Sequence, residues 1–595
     1  MSTNTKIAID PVMYELVSTG LRAVCNEMAL LVAKSAYSIA VAEGRDFAGA
    51  VYDRHGFLVA QGETDLPAFV GITIVAVPEV LRQIGVENMR PDDVYMINDP
   101  YVASTHCNDI HFVRPVFHHN QIIAFVSSTA HWSDVGGVAP GSINVSARSH
   151  YEEGMRIPAV TIYREGVLNS DIVAVLLANM RESWERMGDL NAQTSAVRLG
   201  DQRIRELADK FGIDSLLAGM AEIQNQSERL MRDNLTALPD GVYEAEDFVD
   251  EDVATGDPVA IRLRLTIEGD HADVDLTGSD GAAGSGVNST IAATTSAVFI
   301  ATGSILPTMP MNAGILRAME IRTTPGSICH AQAPSPISAT AASSMEAVIG
   351  AVTLAMSQAL PERGAGVAST ILNTTYHGWD NRDGFDTTYI CYIWSPGGMG
   401  GSRRRDGANV VGSPYASTIV NIPAELQERR FPLLYQRYQL LQNSGGPGRS
   451  RGGMAVDQLV TFPYVEGTLS TFGNRERFGP PGVFGGHVGR TAGMALNPGT
   501  EREQSLPVFS VLVPVDVRDV LAFWSAGGGG YGEPLEREPE RVLDDVIDEY
   551  VSIEGARADY GVVVRELDRR LLSYELDSDA TAALRAERKA ARAGS

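Results

Sequence analysis

The sequence is short of features that mark several classes of protein. Only 4 of its 595 residues are cysteine, and no two of them form a CxxC pair. A disulfide framework and a cysteine-rich zinc site are therefore both excluded. Lysine and arginine number 48 against 74 aspartate and glutamate residues, a net charge of −26. This balance argues against a nucleic-acid binder and against docking on anionic membranes, because both need clustered basic residues.

Signals for export and membrane insertion are also lacking. The first residues, MSTNTKIAIDP, have no charged stretch followed by an apolar one. The longest apolar run, Met28 to Ala42, contains Lys34 and is too short to span a bilayer. We therefore expect a cytoplasmic protein, and the scattered cysteines fit a reducing compartment.

The composition that is present can form a large core. Apolar residues make up 44% of the chain, and its 59 glycines indicate many tight turns. Asp10-Pro11 is typical of an N-cap and first helical residue. Apolar residues behind it recur at helical spacing to about Ala40, which predicts one long helix. Strands are predicted next, followed by a helical stretch from about 171 to 235; the strands are Ala48–Tyr52, Phe57–Ala60, Val94–Ile97, His111–Val116 and Ile122–Ser128.

These patterns predict an α+β chain with several domains. Residues 1–240 should form an N-terminal α/β domain with long helices that bears a metal site. Residues 241–535 should form a β-rich domain with glycine-rich loops, and residues 536–595 a charged helical tail. The turn signal Pro239-Asp240-Gly241 sets the first boundary. After it, Ala260–Ile267 alternates polar and apolar residues, as half-buried strands do.

Chemistry-bearing residues concentrate in NDPYVASTHCNDIHFVRPVF, residues 98–117, and AHWSDVGG, residues 130–137. Each segment contains an H-x-x-D motif beside a predicted strand. Adjacent strand ends would bring His106, Asp109 and His131 together. Two imidazoles and one carboxylate suit Zn²⁺, Mn²⁺ or Fe²⁺ and leave positions open for water or substrate. The alternative is that these are ordinary polar loop residues.

Neighbouring residues could complete such a site. Asp46, in EGRDF, follows the first helix and could reach the cluster as a further ligand or as a catalytic base. His111 lies two residues beyond Asp109 and would face the same side of a strand. Asp134 could orient His131 and so take part in catalysis. Cys107 is either a thiol nucleophile or, as we favour, a packed thiol that faces away.

Phosphate-binding motifs are nearly absent. The sequence has no GxxxxGK[ST]. A GxGxxG match at 527–532 is followed by prolines and only about 60 residues, which favours a glycine-rich turn over a dinucleotide site. The loop at 446–453 could bind an anion through its backbone N–H groups, Arg449 and Arg451. A plain surface loop is equally consistent with that segment.

Taken together, these motifs resemble the hydantoinase B/oxoprolinase family. The resemblance covers about residues 10–565. It rests on the two segments above and on YEEGMRIP, NMRESWERMGDLNAQ, NSGGPGRSRGGM, RERFGPPGVFGG and GGGGYGEPLEREPERVLDDV. The family includes metal-bearing subunits of ATP-dependent hydantoin and lactam hydrolases, 5-oxoprolinases, and acetone and acetophenone carboxylases.

The resemblance implies one divalent metal, zinc or manganese, held by His106, Asp109 and His131, with Asp46 as a further carboxylate. It also implies a separately encoded hydantoinase A-type ATPase subunit of actin-like fold, which binds ATP and phosphorylates the substrate. The two would form a hetero-oligomer with two or more copies of each. Many members have PVHLG where this chain has PAFVG at 67–71. Phe69 takes the place of that histidine and predicts a more apolar substrate pocket.

The function predicted on this basis is ring opening of a cyclic amide. The chain would be the metal-dependent subunit of an ATP-dependent hydantoinase, lactamase or oxoprolinase. The alternative is a subunit of an ATP-dependent ketone carboxylase, in which the metal would stabilise an enolate oxygen. In the hydrolase, Asp46, or Asp134 through His131, would accept the proton from water.

Overall fold

The structure, a computed structural model, describes residues 9–307, 310–382 and 384–593. It combines helices and sheets in a large multidomain chain, which confirms the predicted α+β class. Residues 1–8, most of the segment on which the expectation of no export signal rests, lie outside the described residues.

Helices occur throughout the described residues. The first begins as the sequence predicts, with Pro11 as its first residue and the Asp10 side chain accepting a hydrogen bond from the Val12 backbone N–H. It ends at Ser35 rather than near Ala40. The helices α1 to α12 are Pro11–Ser35, Ile39–Ala42, Pro67–Ile84, Ser170–Ala178, Ser183–Phe211, Ile213–Thr236, Ile291–Ile305, Ser344–Ala359, Ala424–Arg430, Pro539–Ile547, Ile553–Tyr560 and Ser578–Ala593.

Strands build the sheets that carry the rest of the fold. The strands β1 to β11 are Phe47–Asp53, Leu58–Gln61, Val94–Ile97, Asp109–His118, Gln121–His131, Val160–Arg164, Val167–Leu168, Gly241–Val249, Val259–Glu268, His271–Asp275 and Met319–Arg322. The strands β12 to β22 are Ile371–Asp380, Thr387–Pro396, Leu434–Leu441, Ala455–Thr461, Gly467–Phe472, Gly493–Leu496, Gln504–Leu506, Ser510–Val515, Val520–Trp524, Val564–Asp568 and Ser573–Leu576.

A seven-stranded sheet organises the N-terminal part in the order β2-β1-β5-β4-β3-β6-β7. Its central pair, β4 and β5, is an antiparallel hairpin in which Asp109 lies opposite His131. On the other side of β5, Phe47 of β1 pairs with Ala130. Helices α1 and α5 pack together and join this sheet in one apolar cluster, which buries Val17, Leu21 and Met28. The register therefore brings the starts of β1 and β4 and the end of β5 to the same edge.

The C-terminal part contains further sheets, as the alternating pattern predicts. Their strand orders are β11-β10-β9-β8, β13-β12-β16-β19 and β14-β15-β20-β17-β18. Helices α3, α7 and α8 are not predicted by the sequence, because their apolar residues lie on most faces instead of one stripe. The predicted charged tail contains the two-stranded β21–β22 sheet as well as helices.

The main hydrophobic core crosses the boundary predicted at residue 240. One cluster of buried side chains includes residues from Ile39 to Ala526, whereas a small separate cluster lies between Val542 and Val564. The small cluster coincides with the predicted C-terminal segment. The hydrophobic core is continuous across residue 240. The division of residues 1–535 into two domains at that residue stays a prediction.

Several glycine-rich segments pack as extended chains outside the strands named above. We call the segments 365–369, 397–401, 444–454, 479–490 and 526–532 the glycine bundle. Successive residues of one segment donate hydrogen bonds to three different neighbours: Gly528 to the Gly453 carbonyl, Gly529 to Val367 and Gly530 to His487. A sheet would direct these bonds to strands on only two sides. A Cβ on Gly528 would lie 2.0 Å from the Met399 carbonyl oxygen, so only glycine fits.

In the part of the chain that the structure describes, three helical segments are long and apolar enough to cross a membrane by length and composition alone. They are Pro11–Ser35, Pro67–Ile84 and Thr340–Ala359, and the apolar windows within them are 39%, 56% and 89% buried inside the protein. The sequence-based exclusion of a membrane span rests on the length of the run Met28 to Ala42 alone, and that run overlaps only the first of these segments.

Candidate metal centre

His106, Asp109 and His131 meet where β4 begins and β5 ends. Asp109 is the first residue of β4, His131 is the last of β5, and the antiparallel register sets them side by side. His106 lies in the turn that enters β4, where its carbonyl accepts the Asp109 backbone N–H. The structure thus brings together the three residues that the strand argument predicts.

The three side chains form a close, buried group. Oδ1 of Asp109 lies 3.4 Å from Nδ1 of His106 and 3.6 Å from Nδ1 of His131. One ligand atom from each residue lies within 4.8 Å of the other two, and no side chain is more than 9% exposed. This spacing suits a single cation bound between one ligand atom of each of the three residues.

The hydrogen-bonding pattern fits a metal ion. Nδ1 of His106 and Oδ1 of Asp109 are buried and have no hydrogen-bond partner among the described residues. The other oxygen of Asp109, Oδ2, accepts hydrogen bonds from the Thr105 backbone N–H at 3.1 Å and from its hydroxyl at 2.5 Å. Thr105 therefore holds the carboxylate so that its free oxygen faces the two imidazoles. Buried atoms without partners are costly, and a cation would satisfy them.

Burial and mutual charge set the protonation of the cluster. Burial lowers the pKa of His106 to about 4, which favours the neutral imidazole that a metal requires. Burial alone would raise the pKa of Asp109, but the two histidines and Thr105 outweigh it and hold that pKa well below its usual range. For His131, burial lowers the pKa, but Asp109 and Asp46 more than offset this, so that the pKa is raised. The group therefore offers a cation one ionised carboxylate, that of Asp109, flanked by two imidazoles.

Asp46 lies beside this cluster but outside the close group of three. Its backbone carbonyl accepts the His131 N–H at 3.1 Å, and its side chain is 7% exposed. Burial raises the pKa of Asp46 to about 6, against the opposing effect of His131. The position suits a carboxylate that exchanges a proton near neutral pH. Whether Asp46 also ligates the metal stays a prediction.

Asp134 occupies a different place from the one predicted. Its carboxylate accepts the backbone N–H groups of Gly136, Gly141 and Arg181, and it pairs with the Arg181 guanidinium at 2.9 Å. Each oxygen is thus occupied by the loop that follows β5. Because these hydrogen bonds hold the loop, they argue against the predicted role of Asp134 in orienting His131, and its role in catalysis stays a prediction.

Two other residues of the H-x-x-D segment are packed into the protein. His111 has both ring nitrogens engaged, Nε2 by the Ser104 hydroxyl at 3.0 Å and Nδ1 by the Thr129 hydroxyl at 2.8 Å. It is therefore a buried core histidine although it lies two residues from Asp109. Burial raises the pKa of Cys107 well above its ordinary value, which fits the packed thiol that we favour from the sequence.

The predicted anion loop at 446–453 is part of the glycine bundle. Several of its backbone N–H groups donate to carbonyls of neighbouring segments, as Gly446 does to Gly528 and Gly453 to Met399. Arg451 is buried, donates to the Gly452 carbonyl and lies 3.5 Å from Asp545. This burial and the nearby Asp545 argue against anion binding by Arg451, but its Nε has no hydrogen-bond partner among the described residues, so anion binding there stays a prediction.

The remaining predicted binding residues have different surroundings. The Arg449 guanidinium lies over the Tyr531 ring, 5.5 Å from its centroid. Phe69 is 2% exposed in the first turn of α3, within the main hydrophobic core. Anion binding by Arg449 and a substrate contact by Phe69 stay predictions.

The sequence gives no signal for one residue at the site. Tyr392 of β13 reaches His131 from the C-terminal part of the chain, with its hydroxyl oxygen 3.4 Å from Nε2. It lies 261 residues from His131, in a strand whose last eight residues are all buried. Only the tertiary fold reveals it.

Comparison with known proteins identifies the family and agrees with the fold. The model of the Hydantoinase B/oxoprolinase family matches residues 10–534. A protein of Pseudomonas sp. (strain NS671), named for one of the subunits of a D-/L-hydantoinase, is 31% identical, over 97% of this chain and 98% of that one. The beta subunit of the Pseudomonas jessenii caprolactamase is 30% identical, over 93% and 96% of the two chains.

Two solved structures share the overall architecture. The ATP-dependent caprolactamase of Pseudomonas jessenii superimposes with a TM-score of 0.87 at 29% identity, covering 97% of this chain and 100% of that one. A nucleotide-free acetone carboxylase superimposes with a TM-score of 0.90 at 21% identity, covering 98% and 84%, which shows a shared fold. The match of the family model over most of the sequence, together with these relatives, shows that the chain belongs to the hydantoinase B/oxoprolinase family.

Proposed function

We propose that this protein is the metal-dependent subunit of an ATP-dependent cyclic-amide hydrolase. The observation that carries the proposal is the buried cluster of His106, Asp109 and His131, with two ligand atoms that lack partners among the described residues. The relatives named for hydantoin and caprolactam hydrolysis support the substrate class. The substrate is therefore a lactam or a hydantoin-like ring.

The need for ATP follows from the chemistry of the substrate. An unstrained cyclic amide is a poor electrophile, because its nitrogen donates electrons into the carbonyl group. Transfer of a phosphoryl group to the amide oxygen converts that oxygen into a good leaving group. We assign this step to a partner ATPase, since the sequence lacks a GxxxxGK[ST] loop. The naming of both relatives as single subunits of larger enzymes supports such a partner.

Within this chain, each residue has a distinct task. His106, Asp109 and His131 would hold a divalent metal, which supplies Lewis-acid polarisation of oxygen when bound. Thr105 fixes Asp109 by two hydrogen bonds, so that its free oxygen keeps its orientation. Asp46 lies beside these three residues and would accept a proton. Burial raises the pKa of its carboxyl to about 6, which suits a general base near neutral pH.

The proposal extends to the metal, the assembly and the location. A site with imidazole nitrogen and carboxylate oxygen donors suits zinc, and manganese accepts the same donors. The chain would work in a hetero-oligomer with two or more copies of each component. The reaction would take place in the cytoplasm, where ATP is available.

The test is to co-purify the chain with the product of its neighbouring gene and to supply a panel of cyclic amides. We expect ATP hydrolysis that depends on a cyclic amide and yields ring-opened product without bicarbonate. The isolated chain should show no ATP turnover. Turnover that requires a ketone and bicarbonate would instead support the carboxylase, and vigorous ATP hydrolysis by the isolated chain would contradict the division of labour.

A further inference from the structure

Tyr392 contacts the metal centre from outside the segments that supply its ligands. It lies on β13 opposite Thr375 of β12, and its side chain is 2% exposed. Its ring stands at 90° to the imidazole of His131, with the centroids 5.7 Å apart. The hydroxyl is thus held at the edge of a ligand residue by a different sheet.

The hydroxyl group of Tyr392 has its hydrogen committed to backbone carbonyls. It donates to the Ser133 carbonyl at 2.9 Å, and the Gly141 carbonyl lies 3.2 Å away. A phenol hydroxyl has one hydrogen, so only a lone pair of its oxygen remains for a further partner. That oxygen lies 3.4 Å from Nε2 of His131, slightly longer than the usual N–H···O hydrogen bond of about 2.7–3.2 Å.

The contact favours one tautomer of the neutral His131 ring, the form that binds a metal. In that form, Nε2 donates to the Tyr392 oxygen and Nδ1 keeps its lone pair. Nδ1 is the nitrogen that faces Oδ1 of Asp109 at 3.6 Å. A lone pair and an ionised carboxylate repel each other at that distance unless a cation lies between them. The same hydrogen bond therefore fixes the ring and directs Nδ1 into the centre.

We infer that Tyr392 is a positioning residue that selects the His131 tautomer with Nδ1 free for a metal ion. The inference rests on the proposed metal site and adds a residue from the other part of the chain to it. Outer partners of this kind usually change metal affinity by 10–100-fold. Tyr392 also joins the loop after β5 to the β12–β13 sheet, so the ligand geometry depends on both parts of the protein.

The first experiment compares two tyrosine variants of the full chain. Tyr392→Phe removes the hydroxyl at the centre. Tyr376→Phe is the matched control, since Tyr376 is also fully buried and donates to a backbone carbonyl, that of Val465 at 3.0 Å. Affinities for Zn²⁺ and Mn²⁺ are measured by competition with a chromophoric chelator, and thermal melts check that both variants fold.

We expect Tyr392→Phe to weaken Zn²⁺ binding by about 10–100-fold and Tyr376→Phe to leave it at the wild-type value. Equal affinities for the two variants would overturn the inference while leaving the metal proposal intact. If the wild-type chain binds neither ion, both the metal proposal and this inference fail.

A second measurement needs no variant of Tyr392. Zn²⁺-loaded wild-type chain labelled with ¹⁵N-histidine reports the state of each ring nitrogen by NMR, and His131→Gln identifies the His131 signals. We expect hydrogen on Nε2 and coordination through Nδ1. Coordination through Nε2 would overturn the inference even if Tyr392→Phe were unable to fold.

Discussion

The candidate metal centre and the glycine bundle both bury many polar atoms, but they differ in how those atoms are hydrogen-bonded. In the bundle, backbone N–H groups donate to carbonyls of neighbouring segments, and side chains are replaced by glycine at the closest approaches. At the centre, Nδ1 of His106 and Oδ1 of Asp109 have no partner among the described residues. Many backbone donors of the bundle are paired within the protein, whereas the centre has two unpaired atoms that a cation would satisfy.

This difference shows how a scaffold and a reactive site can be told apart. A buried polar atom without a partner destabilises the folded state by about 1–3 kcal/mol, more if it is charged. Such atoms persist where a bound ligand compensates or where the group has a task. Glycine motifs suggest a phosphate site, but the backbone hydrogen bonds between segment 446–453 and its neighbours indicate a structural role for its backbone.

The largest effect should come from breaking the bundle. Gly528→Ala would place a Cβ 2.0 Å from the Met399 carbonyl oxygen, and this atom is backbone, which cannot move aside as the end of a flexible side chain can. We expect loss of the folded chain, or a fall in the free energy of unfolding on the order of 3–5 kcal/mol. Urea unfolding measures it. Gly281→Ala is the control, because nothing lies within 4 Å of its Cβ position.

The second effect is loss of the metal without loss of the fold. His106→Ala removes one of three close ligands, so the metal content should fall from about one ion per chain to nearly none. Elemental analysis after gel filtration measures it. His111→Gln should keep the metal, since both nitrogens of that buried histidine bind hydroxyl groups. Full metal content in His106→Ala would remove His106 from the site.

A third test separates binding from turnover at the centre. Asp46→Asn is nearly isosteric and lies outside the group of three ligand atoms. We expect the metal to be retained while product formation falls on the order of 10²–10⁴-fold, the usual contribution of a positioned general base. The measurement is metal content beside product formed per ATP consumed, with the partner present. Loss of the metal in Asp46→Asn would make Asp46 a ligand instead of a base.

The smallest effect concerns a buried carboxyl away from the centre. Burial raises the pKa of Glu346 to about 8, although Ser413 and Arg475 oppose it. The folded state therefore binds a proton that the unfolded state has lost above about pH 4.5. This contribution to stability is complete below about pH 4.5 and is lost as the pH rises through about 8.

Thermal melts between pH 5 and 8 test this linkage. The Glu346→Gln variant, which is neutral in both states, should show a flatter decline of stability with rising pH than the wild-type chain. Exposed Glu501→Gln is the control and should leave the slope unchanged. An unchanged slope in Glu346→Gln would mean that this carboxyl is ionised when buried, despite the missing partner of its Oε1.

Local sequence predicts the parts of this protein that depend on local order. Val94–Ile97 is a strand as predicted, and the two H-x-x-D motifs meet because antiparallel register pairs Asp109 with His131. Helices α7 and α8 escape prediction because burial on most faces removes the periodic stripe. The hydrogen bonds of Asp134 escape prediction because a motif does not show which neighbours its oxygens contact. No sequence pattern predicts that Tyr392 contacts His131, since 261 residues separate the two.

That same separation sets an order of events when the protein is made. Ribosomes add about 5–20 residues per second, so Tyr392 is synthesised roughly 13–52 s after His131. During that interval the hairpin carrying His106, Asp109 and His131 has no tyrosine beside it. Cations that meet the nascent chain encounter ligands whose tautomer is not yet selected. If Tyr392 selects the tautomer as we infer, metal loading with the final geometry would be a late event of biogenesis, completed only after β13 has joined the fold.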